Sequence, residues 1–341
     1  MFADLRARAR ARLEPAHWDF YAGGAGAERT VHGNEEAFER IRLVPRVLRA
    51  TGPRDLRTTL FGTELAAPIL VAPTAFHRLA HPDGELATAR GAAAAGSVLV
   101  VSMAATMPVE AIAAEAGAWW FQLYVQPDRE FTAALVRRVE AAGCRALVVT
   151  ADSPVFGRRE RDHRHGFHDL PTGLVCENMR DATGAVRAIA MDARLGWDGI
   201  DWLRGITGLP IVLKGVLHPA DAELAVEHGV SGLLVSNHGG RQLDGAIASI
   251  DALPAVAKAV GGRLPVLVDG GIRCGADIVA ALALGADGVL VGRPVLWGLA
   301  VDGARGVQDV LSLLEDDLDR ALALVGARRP ADVTPDLVAW R

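Results

Sequence analysis

Apolar residues gather in eight short runs that do not alternate with polar ones: "PILVAPT" (68–74), "VLVVS" (98–102), "WWFQLY" (119–124), "ALVVTAD" (146–152), "PIVLKG" (210–215), "GLLVSNHG" (232–239), "PVLVDGG" (265–271) and "GVLVGRP" (288–294). A strand with one wet face alternates with period two, whereas consecutive apolar positions predict strands covered on both faces. Between the runs lie Ala-rich amphipathic stretches, "DGELATARGAAAAG", "EFTAALVRRVEAAG" and "HPADAELAVEHG" among them, each closed by a glycine suited to a helix C-terminus. Eight such strands alternating with helices predict an α/β fold, the TIM (β/α)8 barrel. The rival doubly wound sheet wants G-x-G-x-x-G after its first strand, and "APTAFHRLAHPDGE" stands there instead.

Two segments fall outside the repeat. Residues 1–60 are expected to form an N-terminal helical cap of the same domain, over the barrel floor or side, with the barrel itself spanning 61–341. Residues 153–196 make a long connection after the fourth strand, containing "FGRRERDHRHGFHDLPTG" and "ENMRDATGAVRA". A connection of that length is expected to be an active-site lid.

Charge and composition narrow the function. Half of the 341 residues are hydrophobic and the net charge is −5, so no general attraction to nucleic acid or an anionic membrane is expected. Cys144, Cys176 and Cys274 form no CxxC, CxxCH or zinc spacing, so neither structural disulfides nor a metal site is expected. The N-terminal "MFADLRARARARLEP" is basic and amphipathic without a signal-peptide core, and no apolar run approaches the roughly 18 residues of a membrane span. A soluble, cytoplasmic protein is the expectation.

In a barrel, catalytic groups stand where strands end. The runs here end in Thr74, Ser102, Gln122 and Tyr124, Thr150 and Asp152, Lys214, His238, Asp269 and Arg293. Lys214 closes a fully apolar strand, where a cation needs an anion or a path to water. His238 sits between Asn237 and two glycines that would let a ligand approach the backbone, and Asp152 could orient its ring. Arg241 can hold a carboxylate through two parallel hydrogen bonds. "DGGIRCGAD" and "VGRP" each offer glycine N–H groups, an arginine and a following helix, a setting for phosphate. These residues imply a barrel enzyme that holds a phosphorylated ligand and acts beside a small carboxylate. They do not identify a redox carrier.

The stretches "SNHGGRQLDG", "DGGIRCGADIVAALALGADGVLVGRP" and "LPIVLKGV" closely resemble the FMN-dependent 2-hydroxy acid oxidases and dehydrogenases. The resemblance runs from "HWDFYAGGAG" near residue 17 to about residue 326, in order and spacing, through "FQLYV" and "TADSPVFGRRERD". It implies FMN, with the phosphate near Gly271, Arg273, Gly292 and Arg293 and further flavin contacts from Thr74, Ala75, Ser102, Gln122, Thr150 and Asp269. It makes His238 the catalytic base, Asp152 its partner and Lys214 the cation facing the flavin edge where charge accumulates. Arg241, Arg159 and Tyr124 become the substrate-carboxylate clamp, and a homo-tetramer is implied.

Phe20 replaces the tyrosine that many members carry, as in the hydroxymandelate oxidases, which this chain resembles most. Met103, Ala104 and Ala105 stand where glycolate oxidases place a tryptophan. Both departures imply an aromatic (S)-2-hydroxy acid, of the mandelate or 4-hydroxymandelate type, oxidised with O2 going to H2O2. The alternatives are a dehydrogenase passing electrons to a quinone or protein, and an oxidase of lactate or another aliphatic acid.

Overall fold

Eight parallel strands close into a barrel in chain order: Ile69–Val71, Leu99–Ser102, Trp119–Leu123, Leu147–Thr150, Ile211–Val216, Gly232–Val235, Val266–Asp269 and Gly288–Val291, the last pairing back onto the first. This computed structural model describes residues 2–340. The strands are apolar throughout because both faces are covered. Leu70, Val100, Trp120, Val148, Val212, Leu234, Leu267 and Leu290 point into the barrel. Their neighbours, such as Val71, Val101, Phe121 and Val149, pack under the outer helices. The helices stop where their glycines turn left-handed: φ is +63° at Gly96, +88° at Gly143 and +63° at Gly229.

The N-terminal sixty residues differ from the expected helical cap. Helices Ala3–Arg12, Pro15–Ala22 and Arg29–Glu39 come first, after which strand Ile41–Leu43 pairs with Val338–Trp340 near the other end of the chain. The floor is closed by a hairpin, Thr58–Leu60 with Thr63–Leu65, which straddles the expected boundary at residue 60. Leu60 and Leu65 are buried under the barrel interior, and Phe61 packs edge-on against Trp120 at 5.3 Å. Gly232 accommodates that ring: a Cβ there would lie 2.4 Å from Phe61 Cζ. The helix Pro15–Ala22 serves the opposite end, bringing Phe20 and Tyr21 to the mouth.

The connection 153–196 carries a short helix, Glu160–His165, and a 3-10 turn, Glu177–Met179. It is tied down on the barrel. Glu177 N–H donates to the Ala105 carbonyl, Asn178 Oδ1 accepts from Val109 N–H at 2.9 Å, and Ala190 N–H donates to Gln126 Oε1 at 2.9 Å.

Candidate active site

The sixth strand ends at Val235, and three residues on His238 takes a left-handed backbone, φ +59°. That conformation is uncommon for a residue with a Cβ, and its N–H is held by Ser236 Oγ at 3.0 Å. The ring meets Asp152, from just beyond the fourth strand, with Nδ1 and Oδ1 2.8 Å apart. With Nδ1–H donating to the carboxylate, Nε2 is left as the basic atom. Lys214 Nζ stands 3.6 Å from Asp152 Oδ2 and 3.5 Å from His238 Nδ1. Two donors facing each other repel, so the ammonium acts on the imidazole as a charge. Burial lowers the His238 pKa and Lys214 lowers it further, with Asp152 offsetting only part. Burial opposes the charge on Asp152, yet Lys214 and His238 overcome it and hold the carboxyl well below its usual range. The cluster is a neutral base, a fixed carboxylate behind it and a buried cation alongside.

Arg241 donates through one Nη to the carbonyls of Phe20 (2.6 Å) and Gly23 (3.1 Å), and its guanidinium lies over the Phe20 ring at 4.9 Å. Burial, with repulsion from Arg159 and Arg293, pushes its pKa down to about 9. It stays cationic at neutral pH, and an incoming anion relieves the repulsion. Arg159, by contrast, is paired through Nε with Asp162 Oδ2 at 2.9 Å. Burial raises the Tyr124 pKa, keeping its hydroxyl protonated as a donor. Tyr21 cannot stand in for a hydroxyl at position 20, because its own donates to the Phe76 carbonyl at 2.6 Å.

Asn237 and the second glycine of "NHGG" prove structural. Asn237 exchanges two side-chain hydrogen bonds with Asn34 of the third helix (2.9 and 2.7 Å). Gly240 lies against the backbone of that helix: a Cβ would sit 2.6 Å from Val31 N. Close approach to the N-terminal segment, not to a ligand, therefore demands this glycine, whereas Gly239 does border the cavity.

The other end of the mouth suits a phosphorylated cofactor, though not in the expected symmetrical way. The helix Gly275–Ala283 has its N-terminus already filled: Asp277 accepts from the N–H groups of Arg273 and Cys274, and Asp317 from that of Gly275. The helix starting at Arg293 is open, and among the described residues the N–H groups of Gly271, Ile272, Gly292 and Arg293 meet no acceptor. Gly271 is obligatory, since a Cβ would lie 2.0 Å from Asn34 O at φ +85°. Arg293 is held by the carbonyls of Tyr21, Gly23 and Gly239, while Arg273 is paired with Glu35 at 2.8 Å. Between the two ends, Gln122 links Ser102 (3.1 Å) to Thr150 (3.0 Å), and Asp269 keeps a buried Oδ1 without a hydrogen-bond partner. Unpaired N–H donors beside an arginine and a buried free acceptor fit a phosphate and a polyhydroxyl chain, as FMN requires.

These groups surround one cavity of about 1140 Å³. The singled-out residues border it except Asp152, which sits behind His238, the structural Asn237, and Met103 and Ala105, both fully buried. Met103 is the correction: its side chain is fully buried and its sulfur accepts from Tyr124 N–H at 3.4 Å, so it does not form the pocket wall. Ala104 does border the cavity. Three residues escaped the sequence reading. Phe76 stacks on Phe20 (centroids 5.3 Å) and Phe167 packs against it at a tilt (5.2 Å). Asp162 lies within "GRRERD", one helical turn beyond Arg159, a spacing that could have signalled the pair.

Comparison with known proteins agrees with this geometry. The family model for FMN-dependent dehydrogenases matches residues 9–340. An L-lactate oxidase of Nostoc sp. is 47% identical, covering 95% of this chain and 94% of its own, and 2-hydroxyacid oxidase 2 of Homo sapiens is 46% identical, covering 99% and 97%. A crystal structure of mandelate oxidase with 3,3-difluoro-2-hydroxy-3-phenylpropionic acid superposes with a TM-score of 0.93 at 43% identity, over 99% of this chain and 98% of that one. A mandelate oxidase variant with the C4a-OH-FMN adduct reaches 0.92, again at 43% identity and over 98% of each chain. With a family model matched over nearly the whole chain and a cavity whose polar groups fit the cofactor, the chain belongs to the FMN-dependent dehydrogenase family.

Proposed function

We propose that this protein oxidises an aromatic (S)-2-hydroxy acid, of the mandelate type, to the 2-oxo acid, with dioxygen reduced to hydrogen peroxide. The observation that carries the choice of substrate is the apolar wall beside the clamp: Phe20, Phe76 and Phe167 pack together, Ala104 borders the cavity, and Met103 is turned away into the core. An aryl group gains apolar contact there, whereas a methyl group leaves the wall wet. Bound FMN supplies the two-electron acceptor that stands between the hydroxy acid and oxygen. The chain supplies the rest. Arg241 takes the substrate carboxylate, with Tyr124 donating a further hydrogen bond, and His238 Nε2 receives the proton. Asp152 then stabilises the imidazolium, and Lys214 stabilises negative charge developing nearby. The connection 153–196 acts as the lid that keeps water out.

The mandelate oxidase structures support the aromatic reading, while the lactate oxidase relative points to an aliphatic acid of the same class. Anaerobic visible spectra of the purified holoprotein separate them. Adding (S)-mandelate should bleach the flavin band faster than adding (S)-lactate. A band that bleaches with lactate but persists with mandelate overturns the aromatic assignment. In air, one peroxide per oxo acid is expected, and turnover only with an added quinone would make the protein a dehydrogenase.

A further inference from the structure

We infer that Asp162 is a specificity-determining residue that restricts the site to substrates carrying a single negative charge. The inference rests on the proposed seating of a carboxylate at Arg241. Six guanidinium groups border the cavity: those of Arg158, Arg159, Arg187, Arg241, Arg273 and Arg293. Four are already neutralised: Arg273 by Glu35 at 2.8 Å, Arg159 by Asp162 at 2.9 Å, Arg158 by Glu160 at 2.7 Å and Arg187 by Asp128 at 2.6 Å. Arg241 and Arg293 are engaged only by neutral main-chain carbonyls among the described residues. Lys214 is paired with Asp152 and Arg293 stands at the open helix N-terminus of the phosphate end, which among the described residues leaves Arg241 as the one uncompensated cation for substrate.

Asp162 sets that balance from inside the cavity. It borders the same space, is 7% exposed, and is fixed one turn along the helix Glu160–His165 that starts beside Arg159. Its carboxylate occupies the Nε edge of Arg159 and spends that charge before any substrate arrives. A second carboxylate on the substrate would meet a clamp worth one positive charge and face Asp162 directly. In a water-poor cavity such like-charge contact is costly. Removing the charge on Asp162 should release Arg159 and make the clamp worth two.

The test compares two ligands that share a ring and lack the hydroxyl needed for turnover: phenylacetate, a monoanion, and phenylmalonate, a dianion. Each is titrated into the holoprotein and followed by perturbation of the visible flavin band. The wild type should favour phenylacetate, and Asp162→Asn should improve phenylmalonate relative to phenylacetate by about tenfold or more. An unchanged ratio overturns the inference. Arg159→Met provides an independent route should the first variant fold poorly. It leaves Asp162 uncompensated and should weaken phenylacetate, and adding Asp162→Asn to it should restore that binding. A double variant as weak as Arg159→Met alone would mean that Arg159 itself holds the ligand, which also overturns the inference. Wild-type protein that is reduced by mandelate while the variant ratio stays flat condemns this inference alone. Wild-type protein that binds neither acid condemns the proposed pocket as well.

Discussion

The two ends of the barrel are built from the same strands and have opposite chemistry. At the floor, Leu60, Phe61 and Leu65 of a short hairpin cover an interior of Leu70, Trp120, Val148 and Leu267. At the mouth, the same strands end in Ser102, Thr150, Lys214 and Asp269, every one buried. Charged groups persist there because each meets a partner or an intended ligand. Lys214 has Asp152, Arg273 has Glu35, and the free Oδ1 of Asp269 awaits a donor. The difference teaches that stability and chemistry are separable along the barrel axis: packing closes one end, and unmatched polarity at the other lines the cavity of the proposed reaction.

Substitutions at the two ends should fail in different ways. The largest effect belongs to the mouth. His238→Ala should lower the rate of flavin reduction by substrate about 10²–10⁴-fold, the range for loss of a general base, while FMN content and Tm stay near wild type. Stopped-flow reduction alongside a melting curve checks both halves, and reduction at the wild-type rate would remove His238 as the base. At the floor, Leu60→Ala should cost about 2–5 kcal/mol of stability through the cavity it leaves. The rate per bound flavin should stay unchanged. A Leu60 variant with normal stability and a slowed reaction would show that the ends are coupled.

How much of this was legible depended on whether a residue's neighbours were local. The strands could be read because burial on both faces leaves continuous apolar runs, and their polar ends marked the mouth. Met103 could not be placed, because its sulfur turns to a backbone N–H just past the end of the adjacent strand, at Tyr124. Gly240 invited a ligand reading, yet the atom that needs the space belongs to Val31, more than two hundred residues earlier. The floor hairpin was missed because its strands have three residues each, too few for a pattern. The capped helix at Gly275 was legible after all. Asp277 stands three residues after Cys274, the spacing of a reciprocal cap, and it shows that only one of the two helix N-termini is open to phosphate.

The smallest effect expected is a displacement, and it sharpens the view that buried charge at the mouth is tuned rather than merely tolerated. As the proposed base, His238 can act only when neutral, so kcat/KM should fall on the acid side as the imidazole of the free enzyme takes a proton. Burial and the Lys214 ammonium both lower the pKa of that ring, which places the acid limb below the ordinary histidine value. Lys214→Met removes the larger of the two charges that lower it, Arg241 being the other, and leaves the raising cause, Asp152, hydrogen-bonded at 2.8 Å. The His238 pKa must then rise, and the acid limb of kcat/KM must move to higher pH. Profiles of wild type and variant with the same substrate measure it directly. A limb that stays put, or moves to lower pH, would mean that the charge 3.5 Å from Nδ1 does not act on the base, leaving Lys214 to serve the cofactor alone.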